Sequence, residues 1–297
     1  MPGRYRMTVL ILPRADNRKG LLIRILIGLG ALLISASLAV YALSAWELAA
    51  TYQVGLEPLS VTPTSDLVSE GERLAHVYGC SGCHLEAGNV LFEAPGVVRL
   101  VAPNLTRVAP SYSDEEFVRL LRHGVKRDGT SLIAMPASDF NGLADRDLAA
   151  ILAWVRAQSP LPDAVAGGTQ WGPLGRIAIV TGKVPFSAKS VVAVLPRLDR
   201  PTAPAEALGA YLVTTTCTHC HSMDDEHDDG WGVVAPPLRL MGQAYPDDAF
   251  RALLRTGIGM GGRDLGLMSE LARSDFSHLT DPEIAAIHAY LNAAEEE

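Results

Sequence analysis

The chain has 297 residues, 48% hydrophobic and 20% charged, with a formal net charge of −8. Arg4, Arg6, Arg14, Arg18, Lys19 and Arg24, with Asp16 as the sole acid among them, precede residue 25, so the remainder carries −13. So acidic a body argues against a nucleic-acid partner and against a polybasic membrane-surface patch, and the length allows one large domain or two small ones at roughly 100–200 residues each.

Residues 1–20 are predicted to be a cytoplasmic segment and 21–46 a transmembrane anchor. Ile25 to Trp46 holds no charged residue in 22 positions, and about 20 cross a bilayer core. The basic flank comes first, which places the N-terminus in the cytoplasm and everything after Trp46 outside. Tyr41 and Trp46 suit the outer interface. A cleaved signal peptide is the alternative, with Ala42-Leu43-Ser44-Ala45 open to a peptidase, but its apolar core is typically about 7–15 residues, shorter than this one.

Residues 47–160 are predicted to form a first helical domain, in which short helices alternate with Gly/Pro loops. Residues 161–203 are richer in Pro and Gly and read as a linker. Within them Arg176-Ile-Ala-Ile-Val180 is a strand or a packing segment. Residues 204–297 return to the helical pattern as a second domain. The division rests on an internal repeat. Val101-Ala-Pro-Asn-Leu105 matches Val234-Ala-Pro-Pro-Leu238, and Phe117-Val-Arg-Leu-Leu-Arg-His-Gly124 matches Phe250-Arg-Ala-Leu-Leu-Arg-Thr-Gly257. The segment from Leu143 to Trp154 matches that from Leu279 to Tyr290, in the same order. Ser113 with Glu116, and Thr280 with Glu283, are capping boxes that open helices. Leu148, Ile151 and Leu152 share one helical face, as do Ile284, Ile287 and Leu291. No alternation predicts a large sheet, so the expected class is all-α: one transmembrane helix followed by two helical domains of one fold.

All four cysteines lie in two motifs, Cys80-Ser-Gly-Cys83-His84 and Cys217-Thr-His-Cys220-His221. Cys-x-x-Cys-His is the attachment signature of haem c. Two thiols add to the two vinyl groups on one porphyrin edge, and the next residue presents an imidazole to the iron. Zinc binding, disulfides and a thioredoxin-like pair are the competing readings. None of them calls for a His directly after the second Cys in both copies.

On these motifs the chain resembles the class I cytochrome c family, over about residues 66–158 and 204–293. The resemblance implies two covalently bound haems c and a recurring set of parts. Gly71 and Gly209 would let the first helix of each copy pack closely on the last, against Trp154 and Tyr290. Pro103 and Pro236 would accept a hydrogen bond through their carbonyls from the axial imidazoles of His84 and His221, a contact that orients the ring and strengthens it as a donor. Met135, in Ala-Met-Pro-Ala, stands where that family places its sixth ligand. In the second copy Met268 lies 11 residues after Gly257, as Met135 lies 11 after Gly124. Met268 lacks the following Pro, and Met260 is the alternative. His76, His123, His219, His227, His278 and His288 read as surface or core histidines. Asp224 to Asp229 form an acidic loop that reads as a solvated face, or as a surface that steers a basic partner.

His/Met ligation fills both axial positions and leaves iron no open site, which suits electron transfer. No catalytic residue is expected. The predicted role is an electron carrier on the outer, periplasmic face of a bacterial cytoplasmic membrane. It would relay electrons between a quinol-oxidising or dehydrogenase complex and an oxidase, a soluble cytochrome or a photosynthetic reaction centre. The alternatives are the cytochrome subunit of a membrane-associated dehydrogenase, whose members typically carry three haem motifs where two stand here, and a dihaem peroxidase, which needs one iron with an open sixth position.

Overall fold

The computed structural model describes residues 17–84, 88–191, 200–201, 205–228 and 234–293. Most of the segment read as cytoplasmic, and Asp229 of the acidic loop, lie outside the described residues. Helix α1 (Asn17–Leu48) is long and apolar enough, from Lys19 to Leu48, to cross a membrane. Those 30 residues span about 45 Å at ~1.5 Å each, longer than the ~30 Å hydrocarbon core of a bilayer.

The first repeat copy holds α2 (Ser65–Val77), α3 (Cys80–His84), strands β1 (Asn89–Ala94) and β2 (Val98–Ala102), then α4 (Leu105–Val108), α5 (Asp114–His123), α6 (Ala137–Phe140) and α7 (Asp145–Ala157). The connecting stretch holds β3 (Gln170–Trp171), α8 (Pro173–Val180) and α9 (Ser187–Ser190). The second copy holds α10 (Ala205–Leu212), β4 (His227–Asp228), β5 (Val234–Ala235), α11 (Leu238–Ala244), α12 (Asp247–Thr256), β6 (Ile258–Gly259), β7 (Arg263–Asp264), α13 (Leu267–Ser274) and α14 (Asp281–Asn292).

The same local rules shape both copies. Ser113 and Thr280 make full capping boxes with Glu116 and Glu283 at the starts of α5 and α14, so each side chain satisfies an orphan amide of the first turn. Gly124 and Gly257 end α5 and α12 in the left-handed conformation, where a side chain is costly. Helix α2 crosses α7 at Gly71, where a Cβ would collide with the Ala150 carbonyl and sit 2.8 Å from Trp154 Cβ. Helix α10 crosses α14 at Gly209, where a Cβ would collide with the Ala286 carbonyl and sit 2.7 Å from Tyr290 Cβ. The glycines therefore set the distance between the two helices that frame each site.

Three features differ from the sequence expectation. The fold is mostly helical but not all-α, because β1 and β2 form an antiparallel hairpin that β3 extends. A register shift between Val90 and Phe92 breaks the alternation, which hid the strand from a period-two reading. Residues 176–180 belong to a helix, opened by Gly172 and by Pro173 at its first position. The described part of the stretch read as a linker packs onto the first copy: Leu174 N donates to Gly96 O at 2.9 Å, Asn104 Nδ2 to Leu161 O at 3.0 Å and Ser187 N to Leu132 O at 2.9 Å. The buried apolar side chains of both copies then join in one continuous cluster, from Leu74 and Leu152 to Leu212 and Leu291.

Candidate haem sites

In the first copy, α2 ends at Val77, the chain turns through Tyr78 and Gly79, and Cys80 opens α3. One helical turn carries Cys80, Cys83 and His84. His84 Nδ1 lies 3.0 Å from Pro103 O. A carbonyl oxygen only accepts, so Nδ1 carries the proton and Nε2 keeps its lone pair. Burial draws the His84 imidazole below its ordinary pKa, against the Pro103 hydrogen bond that raises it.

The second copy reaches the same arrangement by a different backbone. Residues Val213–Cys217 form a π-helical turn after α10, a device common at functional sites. Cys220 N and His221 N both donate to Cys217 O, at 3.2 and 3.1 Å. His221 Nδ1 lies 2.8 Å from Pro236 O, which again frees Nε2. Burial pushes the Cys80 and Cys217 thiols up to about 12, with the neighbouring Cys83 and Cys220 adding to the effect. Two cysteines within one turn, followed directly by an imidazole whose Nδ1 is held by a proline carbonyl, fit haem c in each copy.

The predicted sixth ligands stand on unequal supports. Ala134, before Met135, has φ +64, the one positive value at a non-glycine among the described residues. Such strain persists only where the surroundings enforce it. Here the connecting stretch does so: Ala134 N donates to Pro185 O at 3.2 Å, and Ser187 Oγ donates to Met135 O at 2.6 Å. Met135 packs at the edge of the core. Met268 is the second residue of α13 and also packs at the core edge, beside buried Ser269, whose hydroxyl donates to Gly257 O. Met260 stands exposed in the turn between β6 and β7. Met223 and Met241 also reach the core edge. Asp224 to Asp228 are exposed, with Asp224 3.0 Å from Arg239 Nε.

Linking the two copies is a group of residues that sequence reading missed. Asp147 Oδ2 accepts from the hydroxyls of Tyr78 and Tyr211, both at 2.8 Å, and from Arg200 Nη1 at 2.6 Å. Arg200 also pairs with Glu283, which takes both terminal nitrogens of Arg73 at 2.8 and 3.0 Å. Asp147 and Glu283 are both buried. His76 and His278 stack 3.9 Å apart, and His219 pairs with Asp139. Repeat register is the signal that would have found the cluster. Arg73 and Tyr211 each lie two residues beyond the packing glycine, and Asp147 and Glu283 are each the third residue of the last helix.

These features define a class: residues 206–295 match the Cytochrome c family model and form a cytochrome c domain. The chain is 24% identical over 282 residues to the fructose dehydrogenase cytochrome subunit of Gluconobacter japonicus, covering 81% of this chain and 56% of that protein. It is 28% identical over 268 residues to the gluconate 2-dehydrogenase cytochrome c subunit of Pantoea cypripedii, covering 76% and 59%. It is 24% identical over 294 residues to the cytochrome c subunit of the alcohol dehydrogenase (quinone) of Gluconobacter oxydans, covering 84% and 60%. The chain therefore spans little more than half the length of these curated relatives. All three are named as cytochrome subunits of dehydrogenases.

Proposed function

We propose that the chain is the two-haem cytochrome subunit of a membrane-associated dehydrogenase, tethered by α1 with both haem sites on the outer face. The observation that carries this reading is the doubled His–Pro geometry. Two imidazoles, each with Nδ1 held by a proline carbonyl, sit in two copies of one helical frame. Haem, when bound, supplies a one-electron couple. His84 and His221 would hold it from one side, Met135 and Met268 from the other, and the four cysteines would fix its edge. With His84, Met135, His221 and Met268 all holding the haems, they would pass electrons and would not take up peroxide. The likeness to dehydrogenase subunits favours a fixed subunit over a freely diffusing carrier between a quinol-oxidising complex and an oxidase, a soluble cytochrome or a reaction centre.

Solubilising native membranes in mild detergent and isolating the chain tests the assignment. A larger dehydrogenase subunit is expected to copurify, and that subunit's substrate is expected to reduce the haems. Isolation of the chain alone, with reduction only by quinol or a soluble cytochrome, would favour the free carrier. Rapid saturable turnover of peroxide with a high-spin haem signal would favour a peroxidase.

A further inference from the structure

We infer that the exposed apolar face of α8 is a second membrane contact, seated in the outer leaflet beside α1. The inference rests on the reading of α1 as an anchor. Helix α8 has three faces with three different neighbours. Gly175 and Ile179 turn inward, Gly175 close enough to the Val97 carbonyl that no Cβ fits, and Ile179 buried. Arg176 turns to α1, where Nη1 donates to Ser44 Oγ at 2.9 Å and the guanidinium stands 4.6 Å from the Tyr41 ring centre. Leu174, Ile177 and Val180, spaced three apart and so on one side of the helix, are 59, 46 and 39% exposed.

The depth of the contact with α1 identifies what covers that third face. Tyr41 lies seven residues before the end of α1 at Leu48, about 10 Å down the helix at ~1.5 Å per residue. Helix α8 therefore lies alongside the outer end of the anchor rather than above it. Glu47 pairs with Lys189 just beyond this point, which marks the water side. Leu38, Leu43 and Trp46 are exposed along the same outer stretch of α1. A short helix with an apolar face at this level places that face at the boundary of headgroups and acyl chains. Arg176 would sit at headgroup level, where a cation with an apolar stem is favourable. Two contacts, α1 and α8, would fix the tilt of the haem domains over the bilayer, which a single helix with a flexible exit would not.

The test uses the full chain in nanodiscs of phosphatidylcholine and phosphatidylglycerol, with one cysteine added to the haem-bound four. Ile177→Cys, Leu33→Cys in the middle of the anchor and Leu240→Cys on the exposed surface of the second copy are compared. Their rates of reaction with a charged, impermeant maleimide are read, together with photolabelling of residues 173–180 by a diazirine carried on a lipid acyl chain. Ile177→Cys is expected to react at least about ten-fold more slowly than Leu240→Cys, because an apolar environment suppresses the thiolate, and residues 173–180 are expected to take the lipid label. A fast Ile177→Cys with a protected Leu33→Cys overturns the inference and leaves the anchor standing. A protected Ile177→Cys without lipid label also overturns it, since a protein then covers the face. A fast Leu33→Cys removes the anchor reading, and the inference falls with it.

Discussion

Asp147→Ala is expected to destabilise the protein by ~3–5 kcal/mol, the cost of removing one partner from a buried ion-pair network. Arg200 would lose its 2.6 Å contact, and the Tyr78 and Tyr211 hydroxyls would lose their shared acceptor. At this chain length the melting temperature should fall by roughly 6–20 °C. Asp147→Asn, which keeps an acceptor oxygen but not the charge, should fall in between. The cluster joins the two copies through both sides of the repeat, so the loss should appear as earlier separation of the copies and not only as local fraying. A loss under ~1 kcal/mol would show that the cluster does not hold the copies together. A pH dependence accompanies it. Burial by itself raises the Glu283 carboxyl, but the Thr280 amide, Arg73 and Arg200 outweigh it and hold that carboxyl below its ordinary value. A depressed carboxylate contributes stability that is complete above the ordinary range of glutamate and is lost as pH falls through its lowered value. The contact between copies should therefore weaken in acid and not in base.

Met135→His and Met268→His should each abolish half of the near-infrared methionine–iron band and lower one of the two potentials, by on the order of hundreds of millivolts within the ~0.8 V that axial ligands span. Imidazole stabilises ferric iron more than thioether does, which fixes the sign. Met260→His should leave both signals unchanged, as its side chain is exposed in the turn between β6 and β7. Loss of the second signal on changing Met260 and not Met268 would show that the two copies differ in register after Gly257. Spectroscopic redox titration of the three variants separates these outcomes.

Much of this was legible in the sequence because the carriers were local or repeated. The capping boxes at Ser113 and Thr280 are three-residue patterns, and the structure forms both. The glycine crossings at Gly71 and Gly209 followed from a family likeness that supplied the partner helix. The hairpin of β1 and β2 was hidden by its bulge, since alternation fails where one residue is extra. The 161–203 stretch looked like a linker because the contacts of its described residues are single hydrogen bonds and ion pairs to residues remote in the chain, such as Gly96, Leu132 and Asp147, and these leave no mark on composition. The cluster of Asp147, Arg200, Glu283 and Arg73 joins residues up to 210 apart in the chain. Each of its members reads alone as an ordinary surface charge. Only superposing the repeat copies shows that the acids and their partners recur at matched positions.

The central claim is that one chain carries two covalent haems. The direct measurement is a pyridine haemochrome assay on the full chain produced with cytochrome c maturation machinery, paired with haem staining after denaturing electrophoresis. Two haems per polypeptide, both retained on the denatured band, is the predicted result. One haem per chain, or a colourless zinc-loaded protein, would contradict it.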